Sequence, residues 1–242
     1  MIDGFDRVAF GREFSPKDSP FLVKYDEPIR ILLVHAEGDR EPLLRVRKVI
    51  RRIKSFHRHP EFRAIDTLSI EAYAPDREKD HNMIIFAVPG RYWDRVHARV
   101  VAGRPNAGAG TVGEAFYYYR CGGTLQNDGG RMTRTLIFLD TEQNADRDGI
   151  GHLDECFAEE MLQSMGLPDD SDDLIWSMFN DNNDVKWPGD FDNLLMSILY
   201  TPELTAGMQR EDVRERVPQI VDELWADHLA ERRRRGAGKA GS

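Results

Sequence analysis

The sequence predicts an α+β protein whose sheet-forming segments come first and whose last part is mainly helical. Apolar runs typical of strands occupy Ile29–His35, Asn82–Val88 and Thr133–Asp140, and the second run contains MIIFAV, a nearly continuous apolar stretch typical of a buried strand. Asn127–Gly130 (NDGG) is a hairpin-turn signal before the third run. The strongest helix signal follows, at residues 153–165, where apolar residues recur every four positions.

The other elements follow from apolar spacing and from the turn residues between them. A helix that begins at Pro42 and ends near Phe56 packs its apolar positions on the sheet, and its other face is basic. That face is either a solvated exterior or a surface for an anionic partner or another chain. The remaining predictions are a helix at Phe5–Phe14, a strand at Asp66–Ala74, a helix at Tyr92–Val101, a Gly-rich loop at Gly103–Gly113, a strand at Glu114–Arg120, and helices at Asp192–Tyr200 and Arg210–Arg233.

The chain of 242 residues is long enough for one core or for two subdomains that flank a cleft. We expect an upper subdomain of sheet and helices at residues 1–166, a lower irregular and helical subdomain at 167–233, and a disordered tail at 234–242. No apolar run approaches the roughly 20 residues of a membrane span. The opening MIDGFDRVAF has neither the basic region nor the apolar region of a signal peptide.

The acidic residues are concentrated in one segment. Residues 151–192 carry twelve acidic side chains and one lysine, whereas the net charge of the whole chain is −9. Such a field favours cations or basic peptide segments and repels nucleic acid. We therefore expect the partner to be a peptide or protein segment that is basic or extended, and we expect no nucleic acid.

The helix around residue 160 is the centre of the predicted site. Its apolar stripe faces the core, and Glu159 and Gln163 lie on the opposite row. Gly166 supplies a left-handed terminal residue, after which the chain turns sharply and brings Asp169 and Asp170 back beside that row. The residues of the apolar stripe are Leu153, Phe157, Met161 and Met165.

This arrangement has the residue spacing of the motif HExxHxxGxxH, but most of the residue types differ. In register, Glu159 and Gln163 take the places of the two helix histidines, Glu160 that of the general base and Asp169 that of the third ligand. The chain thus resembles the metzincin metallopeptidases. Ser177–Asn180 (SMFN) resembles their methionine turn, and Asp192–Tyr200 resembles their C-terminal helix, with Asp192 as its N-cap.

The chain resembles more closely a bacterial domain family of unknown function whose members are mostly exported. That family carries EExxQxxGLxxDS, then SxFND, then LLYxPxLxxGM, which correspond here to Glu159–Ser171, Ser177–Asp181 and Leu199–Met208, and Phe10–Glu13 (FGRE) resembles its opening. The resemblance implies an extracytoplasmic location, periplasmic or secreted, if a signal peptide was trimmed, and a cytoplasmic one otherwise.

The metzincin resemblance also implies a fold. That fold is a twisted mixed sheet with a backing helix and a central helix of the active-site type, followed by a mainly helical subdomain. An edge strand lies along the cleft in those enzymes and pairs with extended peptide, and Glu114–Arg120 is the candidate for that strand.

The metal chemistry differs from that of a zinc peptidase, because no histidine occupies a ligand position. The carboxylate and amide oxygens of Glu159, Gln163 and Asp169 suit Ca²⁺, Mg²⁺ or Mn²⁺ better than Zn²⁺. We therefore expect no tightly bound zinc, and either no cofactor or a hard divalent cation.

Three functional hypotheses remain open. The first is a pseudopeptidase, in which the scaffold binds a peptide or protein at an acidic cleft that includes Gln163, Asp169, Asp170, Asn180 and Asp181. The alternative is a hydrolase, peptidase or glycosidase-like, that uses the carboxylates of Glu159, Glu160 and Asp169 as acid and base. In the third, Glu159 and Gln163 only hydrogen-bond the turn after the helix, and the function lies elsewhere.

The two cysteines, Cys121 and Cys156, allow one disulfide. In an exported protein we expect them to pair and to tie the strand region to the central helix. In a cytosolic protein two buried thiols are expected.

Overall fold

The computed structural model describes residues 2–12, 17–102, 121–142, 152–180 and 182–239. It contains a five-stranded mixed sheet with helices, which agrees with the α+β prediction. The helices are α1 (Ile2–Phe10), α2 (Glu41–Ile53), α3 (Trp93–Ala102), α4 (His152–Gln163), α5 (Asp190–Leu199) and α6 (Arg210–Lys239), and the strands are β1 (Ile29–His35), β2 (Phe62–Ser69), β3 (Met83–Val88), β4 (Cys121–Asp128) and β5 (Arg131–Asp140).

The strand order of the sheet is β2-β1-β3-β5-β4. The strands β2, β1, β3 and β5 run parallel to one another, and β4 runs antiparallel to β5. All six residues of β3 are buried, as expected of a strand near the centre of a sheet that is covered on both faces. Gly129 and Gly130 have φ angles of 56° and 92° and form the β4–β5 turn, as the NDGG signal predicts.

The two faces of the sheet pack against different clusters. Ile31 and Leu33 of β1 belong to the larger core, which also contains apolar residues of α1, α2, α4, α5 and α6. Leu32 and Val34 point to the smaller core, where Val96 of α3 packs. The alternation along β1 therefore places α2 and α4 on one side of the sheet and α3 on the other.

The basic face of α2 contacts the acidic part of the same chain. Arg45 Nη1 lies 2.5 Å from Asp154 Oδ1, and Lys48 pairs with the same carboxylate. Burial raises the pKa of Asp154, but the hydrogen bonds from Lys48 and Arg45 outweigh it and leave the pKa below its usual value. Arg52 Nε donates to the backbone oxygen of Pro188 over 2.7 Å. Much of the predicted basic surface is thus used inside the molecule to attach α4 and the loop before α5.

Several element boundaries differ from the predictions. The second strand begins at Phe62 rather than Asp66 and ends at Ser69 rather than Ala74, because Phe62 pairs with Ile29 at the start of β1. Helix α1 covers Ile2–Phe10 instead of Phe5–Phe14. Helix α6 continues to Lys239, into the segment predicted to be a disordered tail.

The predicted Gly-rich loop and the predicted edge strand at residues 114–120 lie outside the described residues. No helix in the part of the chain that the structure describes is long and apolar enough to cross a membrane.

Candidate functional site

Helix α4 lies against β4, the strand at one edge of the sheet in the described ranges. All four residues of its predicted apolar stripe are buried, and Glu159 and Gln163 on the opposite row are partly exposed. The structure places Cys121 of β4 and Cys156 of α4 in a disulfide, with 6.4 Å between their Cα atoms. The edge strand and the central helix are therefore joined covalently.

Glu160 lies where α4 faces the middle of β4. A Cβ atom added to Gly123 would lie 2.8 Å from Glu160 Oε2 and 3.3 Å from Ser164 Oγ, whereas one added to Gly122 would meet nothing within 4 Å. The absence of a side chain at Gly123 therefore leaves room for the Glu160 carboxylate beside β4. This pair of glycines was not among the predicted site residues, although glycine inside a strand often marks a place where another group approaches the backbone closely.

The turn after α4 forms as predicted. Gly166 has a φ of 119°, and a Cβ atom there would collide with the backbone oxygen of Val23, so both its conformation and its packing require glycine. Tyr200 Oη donates to the backbone oxygen of Met165 over 2.8 Å and satisfies a carbonyl at the end of the helix. The disulfide thus holds the first part of α4, and Tyr200 holds the turn at its other end.

The turn brings Asp170 back to the polar row. Gln163 Nε2 donates to Asp170 Oδ1 over 3.1 Å. Asp169 is buried and faces α1, where Arg7 Nε lies 2.7 Å from its Oδ2 atom. Burial raises the pKa of Asp169, and the charge of Arg7 opposes that effect.

Of the two aspartates predicted to return to this row, Asp170 therefore does so, whereas Asp169 pairs with Arg7 of α1. Asp169 can point inward because Gly11, just after α1, has no side chain. A side chain at this position would collide with the Asp169 carboxylate. Gly11 belongs to the FGRE segment and Asp169 to the GLxxDS segment, so the two motifs meet in the fold as one packing contact.

Asp192 organises the loop at Ser177–Asn180, the segment compared above with a methionine turn. Its Oδ1 atom accepts hydrogen bonds from Ser177 Oγ (2.6 Å) and Met178 N (3.0 Å), and its Oδ2 atom accepts one from Gly189 N (2.6 Å). Gly189 is the N-cap of α5 and Asp192 is the third helical residue, so Asp192 caps the helix from inside and not from the predicted N-cap position. Burial raises the pKa of Asp192 despite these three donors.

Asn180, a predicted cleft residue in this loop, makes hydrogen bonds within the loop. Its Nδ2 donates to the backbone oxygen of Asp172 over 2.9 Å, and its Oδ1 accepts from Asn182 N over 2.8 Å. Met178 and Phe179 are buried in the core, and Trp176 remains 71 % exposed. Asp181 lies outside the described residues.

One group of potential metal ligands occurs in the described ranges. The sulfurs of Cys121 and Cys156 and a carboxylate oxygen of Glu160 all lie within 4.8 Å of one another. This set differs from the predicted set of Glu159, Gln163 and Asp169. It includes Glu160, one of the predicted catalytic residues.

A protein-family model described as "Protein of unknown function (DUF2927)" matches residues 1–219. No curated protein and no solved structure matches the chain.

Proposed function

The chain belongs to this family of unknown function, and we propose a function for it. We propose that it is a non-catalytic module that binds an extended, basic peptide or protein segment along β4. The observation that carries the proposal is the position of β4 at the edge of the sheet, directly beside α4. Within the described ranges, β4 pairs on one side only, with β5. An edge strand can accept an extended segment as a further strand through its backbone groups.

The local shape of β4 supports this binding mode. Gly122 and Gly123 carry no side chains, and Gly123 is exposed, so a ligand backbone can approach the strand closely there. The disulfide holds Cys121, next to these glycines, against α4. A rigid strand loses little conformational entropy when a peptide adds to it, which favours binding.

The charge of the surroundings supports a basic ligand. Glu159 and Glu160 lie on α4, and Asp170 is hydrogen-bonded to Gln163 at the end of that helix. A cationic side chain on a bound segment would gain favourable electrostatic energy in this field, and the gain would decrease as salt is added.

We propose further that the scaffold is metzincin-like with a degenerate metal site. In support of this, a mixed sheet ends in an antiparallel edge strand, a central helix packs beside that strand, and a buried methionine follows in the next loop. The carboxylate of Asp169 is paired with Arg7, which favours binding over hydrolysis at a three-oxygen metal site.

A hydrolase remains the alternative, and the position of Glu160 favours it. This carboxylate lies beside Gly123, next to the backbone along which a substrate would extend. A general base at this position could activate a water molecule toward a bond of the bound segment.

The test is a screen of extended peptides, basic and acidic, for binding and for cleavage. Gly123→Val should weaken the binding of a basic peptide at least about tenfold, because the new side chain would displace the Glu160 carboxylate from its place beside the strand. Thr67→Val, on β2 at the opposite edge, is the matched control and should leave binding unchanged. Equal effects of the two variants, or a preference for acidic peptides, would refute the binding proposal.

Glu160→Gln separates the two functions. Loss of peptide cleavage with an unchanged melting temperature would establish the hydrolase instead of the binding module.

We also propose an extracytoplasmic location. The disulfide supports it, since structural disulfides persist mainly in oxidising compartments. Fractionation of cells that produce the full-length protein, with thiol labelling of each fraction, tests this location. Reduced cysteines in a cytosolic fraction would contradict it.

A further inference from the structure

We propose that Cys121, Cys156 and Glu160 form a binding site for Zn²⁺, or for a similar thiophilic divalent ion, when the disulfide is reduced. The site goes beyond the proposed function, because binding of the ion does not require a peptide on β4. It also differs from the predicted oxygen ligands, which suit hard cations.

The three ligand atoms lie close enough together to reach one tetrahedral ion after the disulfide is reduced. They lie within 4.8 Å of one another. Zn–S bonds of about 2.3 Å in tetrahedral geometry place two thiolate sulfurs about 3.8 Å apart. Once the S–S bond is broken, rotation of the two cysteine side chains can reach that separation from Cα atoms 6.4 Å apart.

The supporting elements are held independently of the disulfide. Cys121 begins β4, which pairs with β5 along its length. Cys156 and Glu160 are one helical turn apart on α4, so both point to the same side of the helix. The buried neighbours Phe157 and Met161 fix the rotation of that helix in the core. Reduction therefore leaves the ligands close together.

The donor types select the ion. Two thiolates and one carboxylate provide the sulfur-rich set that Zn²⁺ and Cd²⁺ prefer over Ca²⁺ or Mg²⁺. Gly123, beside Glu160, is exposed, so solvent can supply the fourth ligand. Three protein ligands with one open position make a site that can exchange its ion.

The chemistry balances with a phosphine as reductant. The phosphine and one water molecule convert the disulfide into two thiols and a phosphine oxide. Zn²⁺ then replaces the two thiol protons and binds both sulfurs. Affinity should therefore fall as the pH decreases and the thiolates become protonated.

As a consequence, β4 and α4 would be joined in both redox states of the cysteines. In an oxidising compartment the disulfide joins the two elements. In a reducing compartment, or before oxidation of a newly made chain, the ion would join them through the same two residues.

Titration with Co²⁺, followed by competition with Zn²⁺, tests the proposal on the full chain. Phosphine-reduced protein should bind one Co²⁺ with the absorption of a thiolate-ligated tetrahedral ion, and Zn²⁺ should displace it. The oxidised protein should show no such absorption. Absence of a thiolate-to-metal band in the reduced protein would overturn the proposal.

Variants identify the ligands. Cys121→Ser and Cys156→Ser should each abolish the thiolate band of a two-sulfur site, and Glu160→Gln should weaken Co²⁺ binding at least about tenfold. Glu155→Gln removes a neighbouring helix charge and is the matched control, expected to change the affinity less than threefold. Equal affinities of the Glu160 and Glu155 variants would exclude Glu160 as a ligand.

Two further measurements guard against misfolding and against sites shared between molecules. Far-UV circular dichroism must be the same for each reduced variant and the reduced wild type, and Cys121→Ala provides a second substitution if the serine variant does not fold. Size-exclusion chromatography with bound Co²⁺ should show no metal-dependent dimer. A dimer with one ion for two chains would refute a site within one molecule.

Discussion

Removal of the Cys121–Cys156 disulfide should destabilise the protein by an amount that the loop length determines. The two residues are 35 positions apart in the chain. The loop-closure relation gives a loss of about 4 kcal/mol at 25 °C for a loop of this size, because the unfolded chain gains conformational freedom when the cross-link is removed. The substitution Cys121→Ser/Cys156→Ser keeps the side-chain size nearly constant and isolates this effect.

Urea denaturation of the oxidised wild type and the double variant measures the difference. Tryptophan fluorescence and far-UV circular dichroism must give coincident transitions, so that one free energy of unfolding describes each protein. We expect the free energy of unfolding to fall by about 3–4 kcal/mol. A fall of less than about 1 kcal/mol would refute the reasoning that this bond restrains the unfolded chain.

The same assay connects the disulfide to the proposed ion site. Reduced wild type should lose a similar amount of stability, and Zn²⁺ at a free concentration of 100 times its Kd should restore about 2.7 kcal/mol. The double serine variant should gain nothing from Zn²⁺. An equal gain in both proteins would show that Zn²⁺ acts elsewhere.

Two further predictions concern buried charges. Burial lowers the pKa of Lys24 to about 8, so the folded protein binds fewer protons than the unfolded chain between about pH 8 and 10.5, and wild-type stability should rise with pH in that window. Thermal unfolding of Lys24→Met should lack this rise; a rise of the same size in that variant would contradict the assignment. Asp192→Asn should lower the free energy of unfolding in urea by about 2 kcal/mol, because the new amide group faces the N–H of Gly189. The matched control is Asp190→Asn, at an exposed position of the same helical turn, which should cost less than about 0.5 kcal/mol. Similar losses in the two asparagine variants would show that the buried hydrogen bonds of Asp192 contribute little.

The local features of the central helix could be predicted because they depend on neighbouring residues. The four-residue spacing of Phe157 and Met161 places them on one face of any helix, and that face is buried in the structure. Gly166 marks a left-handed turn wherever the rest of the chain lies. The apolar run of β3 likewise predicts a strand that is covered on both sides.

The arrangement of the candidate site could not be predicted in the same way. Whether Asp169 or Asp170 returns to Gln163 depends on the path of the backbone past α1, where Gly11 admits the Asp169 carboxylate. The pairing of Phe62 with Ile29, which shifts β2 from its predicted position, also depends on a partner that is distant in sequence. No local pattern contains this information.

The amino-acid sequence by itself determined the α+β class, the central helix with its glycine turn, and the concentration of acidic residues after residue 150. Only the tertiary structure decided that Glu160 lies against Gly123 and beside the disulfide, and that Asp169 pairs with Arg7. The physical reason is the range of the interactions. Helix periodicity and turn conformation arise from steric contacts within a few residues, whereas the site is formed by side chains from separate elements that meet only when the sheet and the core have formed.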